Sequence, residues 1–220
     1  MVSALVIAVD GPAASGKGTI AKALARHLGL SVLDTGLLYR ATWLILSRDG
    51  QELAEPHATE AARRIGSISP DEPELRGERA SKGASVVSAL PGVRAALFDY
   101  QRDFACQPGG AVLDGRDIGT VIAPDAHAKL FVTAAPEVRA RRRWAELAKG
   151  DDAPSYEAVL ADILARDARD AGRSTAPLSM APDAALLDTT DLDIDEAIRR
   201  AIGEVEGRLA AVGIGPGRFS

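Results

Sequence analysis

The chain has 220 residues, 46% of them apolar, which suits one large domain with a buried core. A formal net charge of −5 excludes a general, charge-driven binder of nucleic-acid polymers. The single cysteine, Cys106, excludes an internal disulfide and fits a reducing cytosol.

The first predicted element is a strand. Ala4 to Val9 is a continuous apolar run rich in valine and isoleucine, as in a strand buried on both faces. It is too short to span a membrane and has no basic flank or cleavage site, and no other segment is suited to cross one. Residues 11–16 read as loop. Ile20, Ala23, Leu24 and Leu28 then recur at helical spacing, and Gly29 stands where that helix would end. Ser31 to Leu33 is a short second strand ending at Asp34. Leu37 to Leu46 is helical, with Tyr39 and Trp43 on one face.

Residues 48–83 change character. They are polar, carry Pro56, Pro70 and Pro73, and show little periodicity, so they read as an inserted lobe or mobile flap. Ser85 to Phe104 is helical, punctuated at Pro91. A third strand ends at Asp114, and a fourth covers 128–134. Glu137 to Leu147 is a strongly basic helix, 149–155 a turn, Tyr156 to Ala171 a helix, and 184–190 a fifth strand. Asp193 is placed to cap the last helix, with Glu196 three residues on, as in a capping box. The apolar face of that helix is Ile194, Ile198, Ala201, Ile202, Val205 and Leu209, and the tail from Gly213 is expected to fray. Strands alternate with helices throughout, which predicts an α/β fold with a mostly parallel sheet covered on both faces.

The loop after the first strand carries the clearest chemistry. Gly11 and Gly16, then Lys17, have phosphate-binding spacing between a strand and a helix. Glycines let successive backbone N–H groups of Gly11, Pro12, Ala13, Ala14, Ser15 and Gly16 curl around a polyphosphate, with proline contributing only its turn. The N-terminus of the next helix, through Gly18 and Thr19, adds its dipole. Lys17 supplies a compact positive charge to the outer phosphates of ATP. The hydroxyl that usually follows the lysine is displaced by one: Gly18 comes first and Thr19 next. Thr19 or waters would then complete a Mg²⁺ shell, and Asp114 would orient the metal through water. This K-G-T form is similar to that of nucleoside monophosphate kinases.

A kinase needs an acceptor site, and in such sheets ligands lie beyond the carboxyl ends of strands. Asp34, Thr35 and Arg40 follow the second strand; Asp114, Arg116 and Asp117 follow the third. Basic residues are 21 Arg against 5 Lys, and arginine is the better fork for phosphate. Arg166, Arg169, Asp170 and Arg173 share one helical face, and Arg139, Arg142 and Arg143 share another that would line a lid over ATP. His27, His57 and His127 are isolated and are not read as catalytic. Asp10 and Asp34 are the carboxylates able to activate a hydroxyl. A phosphate acceptor needs no base, because it is largely dianionic at neutral pH.

These residues resemble one family, the bacterial cytidylate kinases, which move phosphate from ATP to CMP or dCMP. The matching stretches are IAVDGPAASGKGT, LDTGLLYRA, LDGRDIGTVIAPDA, EVRARRR and RDARDAGRSTAPL, from residue 5 to about 178. The resemblance implies a P-loop kinase fold, a five-stranded parallel sheet in the order 2-3-1-4-5. It implies one kinase domain with a core of 1–47, 84–148 and 156–212, an acceptor-nucleotide insert at about 48–83 and a lid at about 141–160. It assigns Ser85, Arg94 and Asp117 to the cytosine, and Arg166 and Asp170 to the sugar hydroxyls. Thr35, Arg40, Arg116 and Arg173 would hold the acceptor phosphate, with Lys17, Arg116 and Arg173 carrying catalysis. ATP and CMP or dCMP are the implied partners, Mg²⁺ the cofactor, and a cytoplasmic monomer the expected form. The insert departs from the family, whose members often carry a longer one with strands of its own. A kinase for UMP or a small alcohol is the alternative, and a nucleotide-dependent switch a more distant one, since the N-K-x-D pattern of GTPases is absent.

Overall fold

A computed structural model of the chain describes residues 4–148 and 154–215. Positions 149–153 of the expected turn and lid, and 216–220 of the tail, lie outside the described residues. In chain order the elements are β1 (Val6–Asp10), α1 (Lys17–Leu28), β2 (Ser31–Asp34), α2 (Thr35–Arg48), α3 (Glu55–Arg63), α4 (Glu78–Val87) and α5 (Pro91–Ala105). Then follow β3 (Ala111–Gly115), a π-helical turn at Ile118–Ile122, β4 (Ala128–Thr133), α6 (Pro136–Leu147), α7 (Tyr156–Ala171), β5 (Ala185–Asp188) and α8 (Ile194–Ala211). The chain divides into two compact units: Met1–Leu33 with Ala105–Ser220, and Asp34–Phe104.

The sheet of the first unit runs β2-β3-β1-β4-β5, the order implied by the resemblance. β1 lies parallel to β3 and to β4, and β4 parallel to β5. All residues of β1 and β3 are buried, as two-sided cover requires. The edge strand β5 instead alternates: Ala185 and Leu187 are buried while Leu186 faces out. Ile20, Leu24 and Leu28 of α1 join Ala197, Ala201, Val205 and Leu209 of α8 against Ile7, Val9, Leu130 and Val132. Ile194, expected on that α8 face, is exposed. It sits in the first turn, where a side chain leans back past the start of the helix. Ala140 of α6 and Val159 and Ile163 of α7 form a smaller core with Ala13.

In the second unit α2 packs against α3 and α4. A Cβ at Gly83 would lie 2.1 Å from Cδ2 of Trp43, so the glycine lets the indole rest on α4. The region 48–83 lies in this unit and is helical rather than shapeless. Its prolines start elements instead of breaking them: Pro56 falls in the first turn of α3, and Pro73 opens a 3-10 turn. The buried face of α3 is Ala58, Ala61 and Ala62, too small to show as a bulky periodic stripe. Pro91 begins α5 after α4 has ended at Val87. Among the described residues no helix is long and apolar enough to cross a membrane.

Candidate active site

β1 delivers the chain to Gly11 over β4. A Cβ there would lie 1.9 Å from the carbonyl oxygen of Val132, and φ is 147°, so only glycine fits. Ala14 and Gly16 also take positive φ, 58° and 88°. Gly16 is the N-cap of α1, with no side-chain cap and no acidic residue in the first turn. A helix start with no side-chain cap and no acidic residue of its own suits an anion site. Lys17 is buried, and its Nζ lies 3.5 Å from Oδ1 of Asp114. The register Val9↔Asp114 and Asp10↔Gly115 makes this possible, because it ends β1 and β3 side by side.

Asp114 also lies close to position 18, where the hydroxyl usually stands. A Cβ at position 18 would stand 3.1 Å from Oδ2 of Asp114, so a side chain there would crowd the carboxylate. Thr19 is exposed. Among the described residues no group of three or more His, Cys, Asp or Glu could hold a metal ion. A buried carboxylate beside the phosphate loop, with few other protein ligands, fits Mg²⁺ held mainly by substrate phosphates and water.

Asp10 is buried at the end of β1 and holds the loop after β3. It accepts the N–H of Ile118 at 2.8 Å and of Gly119 at 2.7 Å. Burial pushes its carboxyl up to about 7, the two backbone hydrogen bonds oppose the rise, and Asp117 and Asp114 add to it. It therefore fixes the segment that carries Arg116 and Asp117 and is not aimed at an acceptor.

Arg116 meets α7. Asp170, only 1% exposed, accepts Arg116 Nε at 3.1 Å, is paired with Arg173, and lies 3.9 Å from Arg166 Nε. Three arginines gather on this one carboxylate. Arg169, expected on the same face, is exposed to solvent. Asp117 is buried, and its carbonyl accepts the N–H of Val121 and Ile122.

The second unit carries Thr35, Arg40, Ser85 and Arg94. Asp34 accepts the N–H of Gly36 at 2.9 Å and so caps α2. Its carboxylate, one of two available bases, is thus engaged in capping. Thr35 is buried at the start of that helix. Arg40 donates to the carbonyl of Leu75 at 2.7 Å and to Oγ of Ser81 at 3.4 Å. Ser85 is buried, and Arg94 donates to the carbonyl of Ser88 while lying 5.9 Å from the centroid of Tyr39.

The basic face of α6 is divided. Arg139 is buried and donates to the carbonyls of Ala134 and Ala13 and, bidentately, to Asp167. Arg142 binds both the hydroxyl and the carbonyl of Thr189. Arg143 pairs with Glu146 on the same helix. Two of the three arginines expected in the lid are therefore held inside the first unit. The sequence reading missed Thr189 and Asp167. The rule that ligands gather beyond strand ends pointed at 188–190 and was applied only to the second and third strands.

A parallel sheet in this order, with a glycine loop and lysine opening its first helix, defines the class: a P-loop protein of the kinase type. The cytidylate kinase family model matches residues 7–207, and the chain belongs to that family. It is 58% identical to a cytidylate kinase of Azorhizobium caulinodans, over 92% of this chain and 98% of that one. It is also 58% identical to a cytidylate kinase of Xanthobacter autotrophicus, over 94% and 99% of the two chains. An uncharacterized protein from Eubacterium ventriosum shares the fold, with a TM-score of 0.55 at 14% identity, over 91% of this chain and 98% of that one.

Proposed function

We propose that the protein transfers the terminal phosphoryl group of ATP to CMP or dCMP, giving CDP or dCDP. The observation that carries this reading is the gathering of Arg116, Arg166 and Arg173 on the buried Asp170. Arginine forks brought together in this way suit a dianionic acceptor. Asp10 and Asp34, the two candidate bases, are engaged by backbone N–H groups, and a phosphate nucleophile needs neither.

Catalysis is then positioning and charge neutralisation. The phosphate loop and Lys17 hold ATP. In the first unit Arg116 and Arg173 are assigned to the acceptor phosphate; in the second, Thr35 and Arg40 are. Arg166 and Asp170 take the sugar hydroxyls; Ser85, Arg94 and Asp117 read the cytosine, whose exocyclic amine needs an acceptor. Mg²⁺, when bound, neutralises charge on the transferring phosphates. Asp114, through water, and Thr19 would be the residues to hold it. Of the α6 arginines, Arg143, paired only along its own helix in the contacts described, is the remaining candidate to line a lid over ATP. The enzyme acts as a cytoplasmic monomer on small molecules, with no nucleic-acid polymer or membrane involved.

The test is ADP formation from ATP and Mg²⁺ with CMP, dCMP, UMP, AMP, GMP, shikimate and gluconate in separate reactions. Turnover with CMP and dCMP alone is expected. Turnover with another acceptor in their place, or with none, overturns the reading.

A further inference from the structure

A phosphate loop that turns its N–H groups toward a polyphosphate must find donors elsewhere for its carbonyls. Here the carbonyls of Ala13 and Ser15 flank Ala14, a non-glycine residue at φ 58°. Such a conformation persists where the surroundings over-determine it. Two side chains from outside the loop do so. Arg139 Nη1 donates to the carbonyl of Ala13 at 3.3 Å, and Thr189 Oγ1 donates to the carbonyl of Ser15 at 3.0 Å.

Both donors are themselves held. Arg139 is anchored on the carbonyl of Ala134 at 2.8 Å and on Asp167 at 3.1 and 2.6 Å. Thr189 Oγ1 also lies 3.0 Å from the carbonyl of Thr133, but that carbonyl already accepts the Thr189 N–H at 2.8 Å. A hydroxyl has one proton, and of its two acceptors at equal distance only Ser15 belongs to the loop. Arg142 donates to the same hydroxyl oxygen at 3.0 Å and to the Thr189 carbonyl at 2.7 Å. A cationic donor on the oxygen strengthens the bond that its O–H donates. The two clamping residues are 3% and 2% exposed, so neither is free to sweep over a nucleotide.

We propose that Arg139 and Thr189 are positioning residues that clamp the phosphate loop from outside, on either side of Ala14, with Arg142 fixing Thr189. The clamp presets the loop for nucleotide phosphates, and it rests on the reading that this loop holds ATP.

The test is Thr189→Val, which keeps the side-chain shape and removes the hydroxyl, beside Thr189→Ser, which keeps the hydroxyl. Mg·ADP affinity is measured by calorimetry, and KM for ATP, KM for CMP and kcat by initial rates. Losing one such hydrogen bond should weaken ADP binding and raise KM for ATP about three- to tenfold, with KM for CMP unchanged. Thr189→Ser should restore both. Wild-type ADP affinity in folded Thr189→Val overturns the clamp, and so does an equal rise in both KM values that serine does not rescue. If the valine variant does not fold, Thr189→Ala carries the same readout without an apolar group beside the carbonyls. Wild-type protein that binds ADP but does not turn over CMP would overturn the proposed acceptor and leave the clamp standing. Wild-type protein that binds no ADP would overturn both.

Discussion

Asp10 shows how much one side chain can be constrained by place. It ends a fully buried strand and precedes the first glycine of the phosphate loop, and its two oxygens hold the N–H groups of Ile118 and Gly119. Burial raises its carboxyl from 3.8 to about 7. The folded state therefore binds more protons than the unfolded state between about pH 4 and 7. The stabilising contribution is full below the unfolded pKa and falls as pH rises through the folded one. Asp10→Asn removes this titration. The stability of wild type relative to Asp10→Asn, from urea unfolding without nucleotide or metal, should fall by roughly 2–4 kcal/mol from pH 4 to pH 7.5 and then level off. A flat difference across that range would mean that Asp10 is ionised throughout. Gly18 shows a milder constraint: a Cβ there would stand 3.1 Å from Oδ2 of Asp114, so a side chain would require that carboxylate to give way.

Helix ends carry much of the local design. α1 begins at Gly16 with no side-chain cap, the place proposed for a nucleotide phosphate, and ends at Gly29 in the left-handed conformation with φ 66°. α8 begins conventionally: Asp193 accepts the N–H of Glu196 at 2.8 Å. The carboxylate of Glu196 goes to Arg199 and Arg200, which makes it part of an exposed charge network. Because α8 places Ala197, Ala201, Val205 and Leu209 in the main core, its cap matters to the whole unit. Asp193→Ala should cost about 1 kcal/mol, a fall in Tm of about 2–4 °C for a chain of this size. No fall in a calorimetric scan would show that the cap is replaced by water at no cost.

For the molecule as a whole, ligand binding is a stability term. A nucleotide that binds only the folded state adds about 2.7 kcal/mol at a hundred times its Kd, equivalent to about 5–11 °C in Tm. Mg·ADP should therefore raise Tm by that amount. In Lys17→Ala the rise at the same concentration should shrink severalfold, since the charge proposed to meet the outer phosphates is gone. A full shift in Lys17→Ala would remove Lys17 from the nucleotide site. The chain passes between its two units only at Leu33–Asp34 and Phe104–Ala105. Thr35, Arg40, Ser85 and Arg94 belong to the unit Asp34–Phe104, and Arg116, Asp117, Arg166, Asp170 and Arg173 to the other.

Much of this was decided by local sequence. The period of apolar residues determined strand and helix order, and Tyr156–Ala171 is helical over the range its spacing predicts. The glycine pattern with Lys17 determined the phosphate loop, because turn geometry and a helix N-terminus involve neighbours in the chain. What only the tertiary structure decided are partnerships across long stretches of chain. Arg139 reaches Ala13 across 126 positions, Thr189 reaches Ser15 across 174, and Asp10 reaches Ile118 across 108. The basic face of α6 reads the same in sequence whether it meets solvent or protein. Sheet order brings β4 beside β1 and β5 beside β4, and so turns Arg139 and Arg142 inward. Side-chain spacing tells which residues share a face; only the packing of distant strands tells what that face meets.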